Sequence, residues 1–404
     1  MDQNTINQLK VEVEIPEIVL KSADAAFAKI YQEVESGTVI ADVSFSKESG
    51  QHHKVAKRFA ACIAVGMLAF SAITAGAAAY FHWSKGLERQ FQVSEEQKPQ
   101  MEESGLVDFP DLSVVDEGVT VTLEQSIVDD YFAYLSFKVE GYDVPDGEQP
   151  EFKGTIIRVG EEGEEDKVDM AGGYFYNGLV IGLDGKYKMP DGSAIPEDED
   201  GNYVLCYDLG DGSLEYHIML SATNDKGYFL DNPIHIELSD LGTYSDKSGD
   251  VEADVRGKWV FDWTLTGSDE IRKAKCNEVL GDTGAAVVNA EISPVSICVE
   301  FDFAYQETLE PAIDETKGIE YEAVTYAEPP ELFGVRLKDG TIYPYLMGGG
   351  TTGYMDEEHT RFQMILNTNR ILDVDQVESL LFLKSYPETG DSITEDNLYE
   401  IKLH

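Results

Sequence analysis

Cysteine, basic residues and long apolar runs are all scarce in this chain, and each scarcity excludes something. Four cysteines stand among 404 residues. Cys62 falls inside the single long apolar run, which leaves Cys206, Cys276 and Cys298, an odd number that cannot close a disulfide framework. Cys276 and Cys298 are able to pair, but their spacing does not require it. Lys and Arg number 30 against 77 Asp and Glu, a formal net charge of −47. A surface this acidic does not bind nucleic acid by neutralising phosphates, and an anionic membrane surface repels it.

The one long apolar run is the strongest positive signal. Phe59 to Phe81 contains no Asp, Glu, Lys or Arg in a chain that is 26% charged. As a helix it is roughly 35 Å long at about 1.5 Å per residue, enough to cross a bilayer with some tilt. Ala77-Ala78-Ala79 offers the A-x-A site of a cleaved signal peptide. A signal h-region, however, is about 7–15 residues long and follows a short basic segment, whereas this run begins after 58 residues. An uncleaved transmembrane anchor is therefore expected. Lys47, Lys54, Lys57 and Arg58 precede the run, so the positive-inside bias places residues 1–58 in the cytoplasm and residues 82–404 outside. The exterior holds 68 acidic and 23 basic side chains, and with no disulfide framework a hydrophobic core must hold it together.

In the cytoplasmic segment, residues 16–36 read as an amphipathic helix. Pro16 suits a first turn, and Gly37 suits the position just past the end. Leu20, Ala23, Phe27, Ile30 and Val34 recur at intervals of three and four and share one face. Residues 1–58 are too few to bury that face in a core of their own, so it is expected to bind a cytoplasmic partner, the inner membrane surface or a second copy. Residues 82–111 read as a polar, partly helical stalk, with Ser94 and Gln97 at capping-box spacing and Pro99 arguing against a regular helix. From Leu112 the period becomes two. Val119, Val121 and Leu123 alternate with polar residues, and Leu135, Phe137 and Val139 form a second apolar face. Phe132 and Tyr134, on the opposite face, imply a strand covered on both sides near its start. Similar alternation at Trp259–Leu265, Val295–Phe303 and around the Asp339-Gly340 turn gives a mainly β exterior of two β-sandwich domains, 112–267 and 268–404.

No catalytic spacing accompanies these strands. H-E-x-x-H, G-x-S-x-G, Walker A and C-x-x-C patterns do not occur, and the cysteines lack zinc-site spacing. Gly348-Gly349-Gly350 has no following Lys and is expected to be a flexible loop. Asp198, Asp200 and Gly201 resemble part of a calcium loop, but Pro196 stands where the pattern needs Asp, so an acidic turn is expected. Trp259 and Trp263 alternate with Lys258 and Asp262, as buried core residues do. No catalytic, metal or cofactor residue is assigned, and the chain is not expected to be an enzyme.

A family resemblance rests on the order of these pieces. Ile15-Pro16-Glu17 leads a helix, one span follows, then Glu95-Glu96-Gln97-Lys98 to Gly105-Leu106. Next come Gly118-Val119-Thr120-Val121-Thr122 and Tyr134-Leu135-Ser136-Phe137-Lys138-Val139-Glu140-Gly141. This order resembles the domain-of-unknown-function 4179 family, single-pass membrane proteins of Gram-positive bacteria. Gly257-Lys258-Trp259-Val260-Phe261 and Ile292-Ser293-Pro294 resemble the immunoglobulin-like domain that often follows there. The resemblance implies an anti-sigma-factor-like regulator, whose inner segment sequesters a transcription factor while the exterior receives an envelope ligand or signal. Residues 1–58 contain no cysteine, which excludes a zinc-binding inhibitory domain and leaves the helix to hold a sigma factor. The competing expectation is a cell-surface interaction or adhesion protein with a plain anchor. The amphipathic face favours the regulator, because an anchor needs no such face.

Overall fold

The structure, a computed structural model, describes residues 83–145, 147–161, 167–198, 201, 203–245, 248–314, 319–385 and 393–403, with no side-chain description for 308–325. The apolar run Phe59–Phe81 and the expected helix at 16–36 lie outside the described residues. Among the described residues no helix is long and apolar enough to cross a membrane.

Two short helices come first, α1 (Lys85–Gln90) and α2 (Gln97–Glu103). The first group of strands is β1 (Val107–Asp108), β2 (Leu112–Asp116), β3 (Val119–Val128), β4 (Phe132–Glu140), β5 (Gln149–Val159), β6 (Met170–Phe175), β7 (Val180–Ile181), β8 (Tyr187–Lys188), β9 (Leu214–Ser221), β10 (Pro233–Ser245) and β11 (Asp250–Thr264). The second group is β12 (Arg272–Val279), β13 (Ala286–Ile292), β14 (Ser296–Asp302), β15 (Glu307–Asp314), β16 (Ile319–Tyr326), β17 (Leu332–Leu337), β18 (Ile342–Pro344), β19 (Met347–Tyr354), β20 (Arg361–Thr368), β21 (Val377–Leu383) and β22 (Leu398–Lys402). The described residues are mainly β, 51% strand and 6% helix, consistent with β-sandwich architecture.

The first group forms a six-stranded sheet, β1-β3-β4-β9-β6 with β2 also on β3, and a three-stranded sheet, β11-β10-β5. They share one core, in which Phe137 meets Phe261 at 5.1 Å between ring centroids and Phe152 meets Tyr216 at 4.9 Å. Trp259 is fully buried there and donates its indole N–H to the Val119 carbonyl. The second group forms a five-stranded sheet, β12-β13-β14-β20-β19, facing a four-stranded sheet, β18-β17-β21-β22, across a core that contains Phe301, Phe362 and Phe382. The last residue of the first core is Leu265 and the first of the second is Ala274.

A third core lies where the two sheet pairs meet, and the segment read from sequence as a stalk is part of it. Trp83, Leu87, Phe91, Met101 and Leu106 are buried against Phe132 and Tyr134 of the first pair and Val295, Cys298, Ile365 and Ile371 of the second. Phe132 and Tyr134 thus have the cover that their alternation implied. Leu87 lies inside α1 and Trp83 and Phe91 just beyond its two ends, and all three pack into the same cluster despite their charged neighbours.

Two local expectations are corrected. Pro99 does not prevent a helix, because it sits in the first turn of α2, where a backbone N–H has no intrahelical partner to lose. The expected capping box is in place just ahead of it, the Ser94 N–H donating to Gln97 Oε1 and the Gln97 N–H to Ser94 Oγ. Gly348-Gly349-Gly350 is not a loop but part of β19, paired with β20. A Cβ on Gly350 would lie 2.0 Å from the Ile365 carbonyl oxygen, so glycine there permits a close approach of backbones.

Cys206, Cys276 and Cys298 are all free thiols. Cys276 on β12 and Cys298 on β14 are separated by β13, two strand spacings or roughly 10 Å, which is beyond disulfide reach.

Candidate functional site at the junction of the sheet pairs

The junction is built by a change of phase in β3. Val121 and Leu123 point into the first core opposite Val139 and Phe137. A bulge between Leu123 and Gln125 inserts one residue, and beyond it Val128 continues the core while Ile127 joins the junction cluster. Gln125, two residues before Ile127, is carried to that same outer face, opposite Ser136. The side-chain oxygen of Gln125 accepts the Ser84 N–H at 2.8 Å.

β9 supplies the centre of the site. Leu214, Tyr216 and Ile218 face the core, which leaves Glu215 and His217 on the outer face, where α1 covers them. Glu215 is fully buried. Its Oε2 accepts the Gly86 N–H at 2.8 Å. Its Oε1 accepts from the Ser136 hydroxyl at 2.8 Å, from the Leu87 N–H at 3.2 Å and from the Ser84 hydroxyl, and it lies 2.6 Å from His217 Nε2. One carboxylate therefore satisfies the N-terminal amides of α1, which Ser84 also caps. The fit is close, since a Cβ on Gly86 would lie 2.5 Å from Glu215 Oε1. Burial opposes ionisation of Glu215, but the bonds from His217, Ser84 and Gly86 outweigh it and hold the carboxyl down to about 2.

His217 connects this carboxylate to the end of α1. Its Nδ1 is 2.9 Å from Gln90 Oε1, which also accepts the Tyr174 hydroxyl at 2.9 Å. Tyr176 stacks on the imidazole at 5.6 Å between centroids. Serine, histidine and an acid are thus neighbours without forming a nucleophilic triad. Both the serine and the histidine bond to the carboxylate, and all three are buried, so the group fastens α1 and offers no exposed nucleophile.

The other side of the junction is tied by a second buried acid. Asp129, in the β3–β4 turn, accepts the Tyr131 and Phe132 N–H groups on Oδ1, at 2.9 and 2.8 Å. Its Oδ2 accepts the hydroxyls of Ser293 and Ser296 from the β13–β14 turn, each at 2.5 Å. Segment 83–107 bonds to both pairs. Ile371 N–H donates to the Phe91 carbonyl at 3.0 Å, the Gln97 side chain donates to the Ile371 carbonyl at 3.1 Å, and Val128 N–H donates to the Leu106 carbonyl at 3.0 Å. Residues Trp83–His404 accordingly pack as one compact unit.

The partner-binding residues assigned from sequence, Leu20, Ala23, Phe27, Ile30 and Val34, lie outside the described residues. Asp200 does too, and of its neighbours Glu197 and Tyr203 pair in an isolated antiparallel bridge. Among the described residues no group of three or more His, Cys, Asp and Glu is placed to hold a metal ion. Glu215 and His217 escaped sequence reading because a polar residue every second position on a strand looks solvent-facing. The available signal was the four-residue spacing of Trp83, Leu87 and Phe91, which calls for an apolar surface to cover.

No curated protein matches this chain significantly. A solved structure described as "The crystal structure of the conserved domain protein from Bacillus anthracis" is similar with a TM-score of 0.35 and 10% identity, over 73% of this chain and 91% of that one. That likeness is too slight to bear on function. Residues 51–141, which run from before the apolar stretch through segment 83–107 to the end of β4, match the family described as Domain of unknown function (DUF4179).

Proposed function

We propose that this chain is a single-pass membrane regulator of the anti-sigma-factor-like kind. Phe59–Phe81 spans the cell membrane, residues 1–58 lie in the cytoplasm, and two immunoglobulin-like sandwiches lie outside. The face of Leu20, Ala23, Phe27, Ile30 and Val34 sequesters a sigma factor, and the exterior responds to an envelope ligand. No catalytic role or nucleic-acid contact is part of this reading. One observation carries it. Segment 83–107, which follows the apolar run directly in the chain, is bonded to Glu215 of the first sheet pair and to Ile371 of the second. A plain tether needs neither bond. A segment held by both pairs moves when either pair moves, so a change at the junction is passed to the chain at Trp83.

The test is Phe27→Asp in the full-length protein in cells. Burying each of the four large anchors, Leu20, Phe27, Ile30 and Val34, is worth roughly 1.5–3 kcal/mol, of which association takes back at least about 4 kcal/mol in total, so one charged anchor is enough to break the contact. Capture of the sigma factor should be lost and transcription from its promoters should rise, with Lys29→Ala as the silent control. Unaltered capture and transcription would remove the inhibitory helix. A surface-interaction role would then gain from the ring group of Tyr305, Tyr326, Tyr354 and His359, in which Tyr305 and Tyr326 are exposed.

A further inference from the structure

Beside the anchored helix the junction forms an open cavity of about 430 Å³, within the roughly 300–1,000 Å³ usual for small-molecule sites. Its walls come from both sheet pairs and from the β7–β8 hairpin. Among the described residues that line it none is charged, in a chain whose formal net charge is −47. Four of the lining residues are tyrosines, Tyr134, Tyr174, Tyr176 and Tyr187, and amide side chains come from Gln90, Asn177 and Asn369 among others. Tyr174 and Tyr187 are exposed. The Tyr176 hydroxyl and Asn369 Oδ1, on buried residues, have no hydrogen-bond partner among the described residues.

This lining selects a ligand class by what it lacks. On the described lining residues an anion would touch no cation, and a cation would touch no carboxylate. A wholly apolar ligand would strip water from those cavity amides and hydroxyls that are not already bonded within the protein, which is costly. Tyrosine rings beside amide groups suit a ring compound with C–H faces to stack and hydroxyl or acetamido groups to bond. We propose that the cavity binds a neutral saccharide of one or two sugar units. This names the envelope ligand of the regulator described above and rests on that reading only for its consequence, not for its binding.

The route to the anchored segment is short. Tyr174 lines the cavity and donates its hydroxyl to Gln90 Oε1, and Gln90 is the last residue of α1. The same oxygen faces His217, which faces Glu215. A saccharide bonded to Tyr174 or Gln90 competes for the groups that hold the end of α1, so occupancy of the cavity and seating of the segment are coupled.

The experiment is calorimetric titration of the full-length protein, in a detergent without a sugar head group, with N,N′-diacetylchitobiose, cellobiose and maltose, and with glucuronate as the charged control. At least one neutral disaccharide should bind saturably at millimolar concentration or below, and glucuronate should not compete. Tyr187→Ala and Asn177→Ala, whose side chains are at the cavity but outside the Glu215 group, should each weaken binding by about tenfold, which corresponds to about 1.4 kcal/mol. Tyr244→Ala, an exposed tyrosine elsewhere on the surface, should leave it unchanged. Absence of saturable binding by all three disaccharides would overturn the proposal. So would binding that survives both cavity variants, or a preference for glucuronate. Since binding is read on purified protein, loss of the Phe27→Asp effect in cells would remove the regulator and leave the saccharide site standing.

Discussion

Replacing Glu215 by alanine is the perturbation with the largest calculable effect. The change removes the acceptor of the Ser84 and Ser136 hydroxyls, of the Gly86 and Leu87 N–H groups and of His217. A buried donor left without an acceptor costs about 1–3 kcal/mol. The costs do not simply add, because Leu87 N–H keeps its bond to Ser84 Oγ and water can enter the space vacated. Removing one partner of a buried charged group costs about 3–5 kcal/mol in total, which is the magnitude expected here. Against a typical stability of about 5–15 kcal/mol that loss is large. Most of the stranded donors belong to residues 84–87, so the cheapest response is for α1 to leave the sheet while both sheet pairs stay folded. Limited trypsin digestion of the full-length protein reads this directly, because Lys85 and Arg89 flank the carboxylate's contacts. Cleavage there should accelerate by orders of magnitude in Glu215→Ala and by less in Glu215→Gln, which keeps one carbonyl oxygen. Cleavage unchanged in Glu215→Ala, together with urea stability within about 1 kcal/mol of wild type, would show that the carboxylate does not hold the segment.

Other outcomes follow from the same geometry. Asp129→Ala strands the Ser293 and Ser296 hydroxyls and should loosen the two sheet pairs from each other, splitting a single calorimetric unfolding transition into two; one undivided transition at the wild-type temperature would refute the tie. Burial raises the carboxyl of Glu151 to about 7, with the Phe152 N–H acting the other way, so the folded state keeps that proton in the window between 4.5 and about 7 and loses stability as pH rises through it. Glu151→Gln should therefore stabilise the protein at pH 8 and do little at pH 4, as urea unfolding at the two pH values would show. Glu215 has the opposite sign. With its carboxyl held down to about 2, its contribution is complete above 4.5 and is lost as pH falls through about 2, so acid should release residues 84–91 in wild type while Glu215→Ala shows no such step.

Much of the β architecture was legible because strands half-buried in a sheet alternate with period two, and β3, β4, β11 and β14 do so plainly. Phe132 and Tyr134 even showed that β4 would be covered on both faces. What covered them was not legible. Glu88, Arg89, Glu95 and Glu96 give segment 82–111 the composition of a solvated stalk, and composition averages away the three large side chains at 83, 87 and 91. The outer face of β9 was hidden for a related reason, since Glu215 and His217 alternate with apolar residues just as exposed polar residues do. Only a second element lying on that face distinguishes a buried carboxylate from a surface one, and that contact spans 129 residues of sequence between Gly86 and Glu215. The phase change at the β3 bulge is invisible in the same way, because Gln125 and Ile127 continue an apolar-polar pattern whose register has slipped by one.

The chain that follows the apolar run is fixed to both sheet pairs from Trp83 onward and does not hang free as a stalk. Hydrogen–deuterium exchange on the full-length protein in membranes or detergent tests it most directly, read at the amides of residues 84–107. Gly86, Leu87 and Phe91, whose N–H groups donate to Glu215 or within the buried turn of α1, should exchange as slowly as the central strands β4 and β9. Exchange of those amides within seconds, at the rate of an unprotected polar linker, would contradict it.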